Sequence, residues 1–189
     1  MLVQNLNNEE KILAKALTKL VWGDLYSSKT QQLQKLIYDY TFEYYDTNPE
    51  FSFGIFEDGL KGFILASLKN NSKKINFNLE NLNEKDKISF QELVNYVELM
   101  SFETEKLMND DDIFLGIFVS IKKGFGKILL KNLVQKAKQK NIKNIYLWTD
   151  SACDFEYYSK NNFILEKKLN TFLNEEKIEA MIYKKPVDF

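Results

Sequence analysis

Apolar positions recur along this chain with two periods, about 3.6 in some stretches and 2 in others, so helices and strands take turns. Leu2 to Leu6 reads as a short first strand. Asn7 and Glu10 then form an N-cap and its third-position partner. The helix they open carries Ile12, Leu13, Ala16, Leu17, Leu20 and Val21 at helical spacing, the side expected to be buried, and Gly23 ends it. A second helix spans Lys29 to Tyr45, with Leu33, Leu36, Ile37, Tyr40 and Tyr44 on one side and Pro49 closing the region. Phe51 to Phe56 and Leu60 to Leu68 are strand-like, and Asp58-Gly59 between them is a strong hairpin signal. A polar stretch follows from Asn70 to about Ile88. Ser89-Phe90-Gln91-Glu92 is a capping box for a helix through Leu93, Val94, Val97 and Met100, which frays into Asn109–Asp112.

The second half alternates more regularly. Ile113 to Val119 is an apolar run suited to a buried strand. A glycine turn follows, Lys123-Gly124-Phe125-Gly126-Lys127. The next helix turns Leu129, Leu130, Leu133, Val134 and Ala137 inward and Lys127, Lys131 and Lys138 outward. Ile145 to Thr149 is a strand, and Ser151 to Lys160 a short helix with Ser151 and Asp154 as cap and partner. Phe163–Leu169 and Ile178–Lys184 make a last strand pair, joined through Asn174-Glu175-Glu176. Without repeats or a Pro- or Gly-rich linker, residues 1–189 read as one alternating α/β domain.

Composition narrows the chemistry. The chain has no His and no Arg, so its 26 basic residues are all Lys, against 27 acidic ones. His-based triads, His metal sites and arginine fingers are excluded, and a general acid or base must be Asp, Glu, Tyr, Lys, Cys or a terminus. A net charge of -1 argues against a nucleic-acid binder. The single Cys153 can make neither an internal disulfide nor a thiolate metal site, and it fits a reducing, cytoplasmic location. Glu9, Glu10 and Lys11 interrupt the start too early for a secretory leader, and no apolar run approaches the ~18 residues of a membrane span.

Two stretches could carry chemistry. Lys122-Lys123-Gly124-Phe125-Gly126-Lys127 lies between a strand and a helix, where backbone N–H groups and the helix dipole favour an anion. It reads equally as a tight turn with solvated lysines. Neither a P-loop nor a G-x-G-x-x-G pattern is present. Tyr157-Tyr158 follows the Ile145–Thr149 strand on a short helix, where adjacent residues face different ways. Read alone, the pair is aromatic packing.

Together, in this order, the two stretches resemble the GNAT acetyltransferase superfamily. Its [Q/R]-x-x-G-x-[G/A] signature falls on Ile121-Lys122-Lys123-Gly124-Phe125-Gly126, and its F-Y-x-K-x-G-F pattern on Tyr157-Tyr158-Ser159-Lys160-Asn161-Asn162-Phe163. The likeness is good from about residue 112 to 165. Ile121 departs from the polar first position, Asn162 from Gly, and Ser151 from a frequent Asn. The resemblance implies an α/β (α+β) fold: a mixed, mostly antiparallel central sheet, flanked by helices, with splayed central strands. A helical insertion would occupy about residues 70–111.

It further implies direct acetyl transfer from acetyl-CoA, as cosubstrate and without a metal, to a primary amine in a ternary complex. Lys122, Lys123, Gly124, Phe125, Gly126 and Lys127 would hold the pyrophosphate, Phe118 and Val119 the pantetheine arm, and Ser151 and Lys160 would add cofactor contacts. Tyr158 matches the family's general acid toward the leaving thiolate. A base is sought among Glu103, Glu105, Asp110, Asp111 and Asp112, with Asp112 and Glu105 preferred, although a solvated loop is the competing reading. Cys153 is read as a packing residue. The expected partner is a small-molecule or peptide amine, with no nucleic acid or membrane, and a homodimer is compatible. Trp22, Tyr26, Tyr38, Phe42 and Tyr45 either line an amine pocket by cation–π attraction or pack the two N-terminal helices. The rival readings are a non-catalytic GNAT-like module that binds coenzyme A or a protein, and a structural α+β interaction protein.

Overall fold

Among the described residues seven strands pair in the order β1-β2-β3-β4-β5-β7-β6. The structure is a computed structural model that describes residues 1–22, 26–69, 75–173 and 176–187. Its elements in chain order are β1 (Leu2–Asn5), α1 (Asn8–Trp22), α2 (Gln31–Tyr45), β2 (Phe53–Phe56), β3 (Leu60–Leu68), α3 (Glu84–Glu105), β4 (Ile113–Ser120), α4 (Phe125–Gln139), β5 (Asn144–Asp150), α5 (Glu156–Lys160), β6 (Ile164–Leu173) and β7 (Glu176–Pro186). All neighbouring strands are antiparallel except β4 and β5, which α4 connects in parallel. The expected architecture, a mostly antiparallel mixed sheet flanked by helices, is the one observed. Gly23, Asn70 and the Asn174-Glu175 connection lie outside the described residues.

Each sheet face covers one core. Phe63 and Leu65 of β3 point to the side of α1, α2 and α3, while Ile64 and Ala66 point to the side of α4 and α5. β4 keeps this alternation only by breaking it once. Phe114 faces the first core, Leu115 the second and Ile117 the first again, because the register against β3 shifts at Gly116. A bulge of this kind bends a strand and ends regular pairing. Accordingly β4 pairs with β5 only at Ile113–Ile145 and Phe114–Tyr146, and beyond that the two strands part. These are the splayed central strands.

Local signals explain most element ends. Asn7 and Glu10 exchange the reciprocal bonds of a capping box, 2.8 and 2.9 Å. Thr30 caps α2 and also donates to Asp86, which sits in the first turn of α3, so the two helix starts are joined. Asn141, at φ 58°, closes α4 with a Schellman pair of bonds from Asn141 and Ile142.

Three expectations need correction. α1 buries Ala14, Leu17 and Thr18, whereas Ile12, Leu13, Leu20 and Val21 are exposed. The helix is turned so that Lys15 reaches Asp39 and Glu43 on α2, and of the expected side only Leu17 is buried. α3 begins at Glu84 under an Asn83 cap, so Ser89–Glu92 lies inside the helix. Its first turn, Glu84-Lys85-Asp86-Lys87, carries no apolar residue, which is why it reads as a loop. Ser151 and Asp154 do not cap α5. The Asp150 carboxylate instead takes the Ala152 N–H, and the Cys153 N–H bonds the Asp150 carbonyl, making a turn that delays the helix to Glu156.

Candidate functional site

Where β4 and β5 part, a cavity of about 850 Å³ opens. Its floor is the C-terminal half of β4, from Gly116 to Ser120. A Cβ on Gly116 would lie 2.1 Å from the Tyr45 ring, so only glycine lets that ring cover the bulge. The Tyr45 hydroxyl accepts a bond from Trp148 Nε1 at 3.1 Å and lies 3.3 Å from the Ser101 hydroxyl. Three elements, α2, α3 and β5, are thereby tied together beside the gap.

At one end lies the glycine turn. Gly124 is the N-cap of α4 at φ 87°, with open space around it, so conformation rather than crowding demands glycine there. No side chain caps this helix, and the first N–H groups of a helix have no partner within it. Lys122, Lys123 and Lys127 surround the turn, with Lys122 paired to Glu57 and stacked over Phe125. Gly126 is crowded: its Cβ would lie 2.8 Å from the Tyr157 hydroxyl and 3.1 Å from the edge of Phe118. An anion with several oxygens fits this donor set.

α5 supplies Tyr157 and Tyr158, and both reach the cavity. Tyr157 packs on Phe118, and its buried hydroxyl has no hydrogen-bond partner among the described residues. Tyr158 stacks against Phe163 and Tyr183, and burial raises the pKa of its phenol. It is therefore protonated at neutral pH, the state a proton donor needs. Asn162 takes φ 62° at the glycine position of the pattern that the chain resembles, as its tolerance of that conformation allows.

The opposite wall comes from separate segments. Trp22 and Tyr26 contribute from the α1–α2 side, Leu93, Tyr96 and Val97 from α3, Trp148 and Asp150 from β5, and Ile178 from β7. Tyr96 donates to the Asp150 carboxylate at 2.9 Å and its ring meets Trp148 edge-on at 5.4 Å. Burial and the neighbouring Asp150 push the Cys153 thiol up to about 11, so it is not a thiolate at neutral pH.

Of the expected cofactor residues, Phe118, Val119, Lys122, Lys123, Gly124, Gly126 and Lys127 line the cavity, and Tyr158 joins them. Phe125, Ser151 and Lys160 do not: Phe125 is buried in the core, Ser151 donates its N–H to Glu179, and Lys160 pairs with Glu156. None of the five candidate bases lines it either. Asp112 is fully buried at the other end of β4, where it accepts bonds from Asn109 and Asn144 and staples the closed end of the β4–β5 pair. Glu105 ends α3, two turns beyond the lining residue Val97. Tyr38 and Phe42 are core, while Trp22, Tyr26 and Tyr45 reach the cavity. Sequence reasoning passed over Tyr96 and Asp150. The signal was available for Asp150 alone, as a carboxylate at the C-terminal end of a central strand.

No family model and no curated protein matches the chain. Solved structures do. The chain is similar over its whole length to an aminoglycoside 6'-N-acetyltransferase complexed with coenzyme A, at 15% identity and TM-score 0.60, covering 100% of this chain and 98% of that one. An insect protein from the yellow fever mosquito, described as an arylalkylamine N-acetyltransferase, matches at 14% identity and TM-score 0.66, covering 98% and 87%. An acetyltransferase assigned to the GNAT family from Desulfovibrio desulfuricans matches at 9% identity and TM-score 0.60, covering 99% of both chains. With the bulged β4, the parted strands and the glycine turn already in place, these matches give the chain the fold of the GNAT N-acetyltransferases.

Proposed function

We propose that this chain transfers an acetyl group from acetyl-CoA to a primary amine within a ternary complex. One observation carries the reading. A gap in the central sheet leads from an uncapped, lysine-flanked helix start to a protonated tyrosine, all in one cavity. Acetyl-CoA, when bound, supplies an activated acetyl thioester. The N–H groups of the turn and Lys123 and Lys127 would hold its pyrophosphate, and the main chain at Phe118 and Val119, freed by the parted strands, its pantetheine amides. Tyr158 gives its phenolic proton to the leaving sulfur as the N–C bond forms and the C–S bond breaks. The acceptor ammonium loses two protons overall, one restoring Tyr158 and the other leaving to solvent. Positioning amine and carbonyl together supplies the rest of the rate.

Under this reading residues 1–189 act as one unit, and the insertion carrying α3 forms the acceptor wall through Leu93, Tyr96 and Val97. Two of the solved structures described above carry amine N-acetyltransferase names, which supports an amine acceptor. A second reading, a coenzyme A-binding module without catalysis, is favoured by Ile121 at the signature's polar position and by Lys122 being tied to Glu57. Two measurements separate them. Acetyl-CoA should raise the melting temperature, since a ligand of the native state stabilises it. A panel of amines should then release free thiol from acetyl-CoA. Stabilisation without thiol release supports the module, and absence of both overturns either reading.

A further inference from the structure

The cavity divides its charge. Its only cationic lining side chains among the described residues are Lys122, Lys123 and Lys127, all at the glycine turn. Its carboxylates, Asp150, Asp154 and Glu176, come from the β5 end and the β6–β7 hairpin. Among the described residues Asp150 makes no ion pair with a lysine. Its Oδ2 accepts from Tyr96 at 2.9 Å and its Oδ1 from the Ala152 N–H at 3.0 Å. A carboxylate has about four acceptor sites, so about two are left for a ligand, and the two bonds already made hold the group in place.

We propose that Asp150 is the seat for the acceptor's ammonium group, and that the acceptor is a small primary amine with an apolar body. The inference rests on the acetyl-transfer reading and deepens it. Trp22, Tyr26, Tyr96 and Trp148 line the space with Leu93 and Ile178. Aromatic faces attract a cation and bury an apolar body, and they offer little to a molecule covered in hydroxyls. A polycation would need several fixed carboxylates, but Asp154 and Glu176 are exposed and only Asp150 is held by a buried donor. The seat also lies on the reacting side. Asp150, Cys153 and Tyr158 line the same cavity, so anchor and proton donor share it. Asp150 acts here as a binding and positioning residue that delivers the nitrogen.

The test is calorimetry on the coenzyme A-loaded protein with 2-phenylethylamine, 2-phenylethanol, spermidine and a short peptide with a free N-terminus. The amine should bind at least about tenfold tighter than the alcohol, which has the same body without the charge. Asp150→Asn should remove that preference while leaving coenzyme A affinity within about twofold. Equal binding of amine and alcohol by the wild type overturns the seat, and needs no variant to fold. Tighter binding of spermidine or the peptide overturns the apolar-body assignment. Failure of coenzyme A to bind overturns the acetyl-transfer reading, and the same titrations on unloaded protein then still decide the role of Asp150.

Discussion

At one end of the cavity a single run of chain, residues 121–127, supplies backbone N–H groups, the left-handed Gly124 and three lysines. At the other, Trp22, Tyr96, Trp148, Asp150 and Ile178 meet from α1, α3, β5 and β7, and side chains do all the work. Under the proposed function the first end would bind through the main chain, with Gly124 held at φ 87° and Gly126 crowded. The second would bind through side chains. If the first end takes a cosubstrate and the second an acceptor, as proposed, the labour divides this way because backbone geometry survives sequence change and side-chain walls do not.

The comparison can be broken at several points. The largest effect is expected at the backbone end. Gly126→Val places a branched side chain against Tyr157 and Phe118 and over the N–H groups of the turn. Acetyl-CoA binding should become undetectable by calorimetry while circular dichroism stays native; retained affinity removes the turn as the anion site. Next comes Tyr158→Phe, which deletes a hydroxyl and keeps the ring that packs on Phe163 and Tyr183. General acid catalysis is worth about 10²–10⁴-fold, so kcat should fall by about 10²-fold with little change in acetyl-CoA affinity. Tyr157→Phe removes a hydroxyl without a partner among the described residues and should be mild. If the two variants behave alike, the roles assigned along α5 are wrong.

The smallest effect is expected at Cys153, on the side-chain end. Cys153→Ala should keep most activity, and kinetics should show a ternary complex; an acetylated Cys153 in mass spectra contradicts this. Burial and Asp150 disfavour the thiolate and raise the thiol from 9.0 to about 11. Alkylation by iodoacetamide should therefore stay slow at neutral pH and accelerate only as pH climbs toward 11. A rate that levels off near pH 9 would mean that the thiol is freely solvated.

The same division decides what could be read from the chain. The glycine turn is contiguous, so its residues announce themselves together, and five of its six expected residues, 122–127, line the cavity. Tyr158 was legible for the same reason, as part of a short run between Tyr157 and Phe163. The opposite wall was not, because Tyr96 and Asp150 are 54 positions apart and meet only after α3 packs against β5. The base was sought at Asp112 because sequence proximity to β4 says nothing about which end of the strand faces the cavity. The bulge at Gly116 was equally hidden: an apolar run carries no mark of the residue that is skipped. α1 misled in a different way, since its apolar residues cover more than one side and composition cannot say which side meets the sheet.

Tyr45 belongs to neither end, and that sets limits on how this cavity could be remodelled. Trp22 and Ile178 are partly buried at the edge of the core, where a change of size displaces less. Tyr45 cannot change size alone: its ring occupies the space a Cβ at Gly116 would take, and its hydroxyl meets Trp148 and Ser101. Replacing it alters the strand gap and the wall at once. In a lineage or a library diversifying its substrate, variation should accumulate around Tyr45 while it and Gly116 change only together.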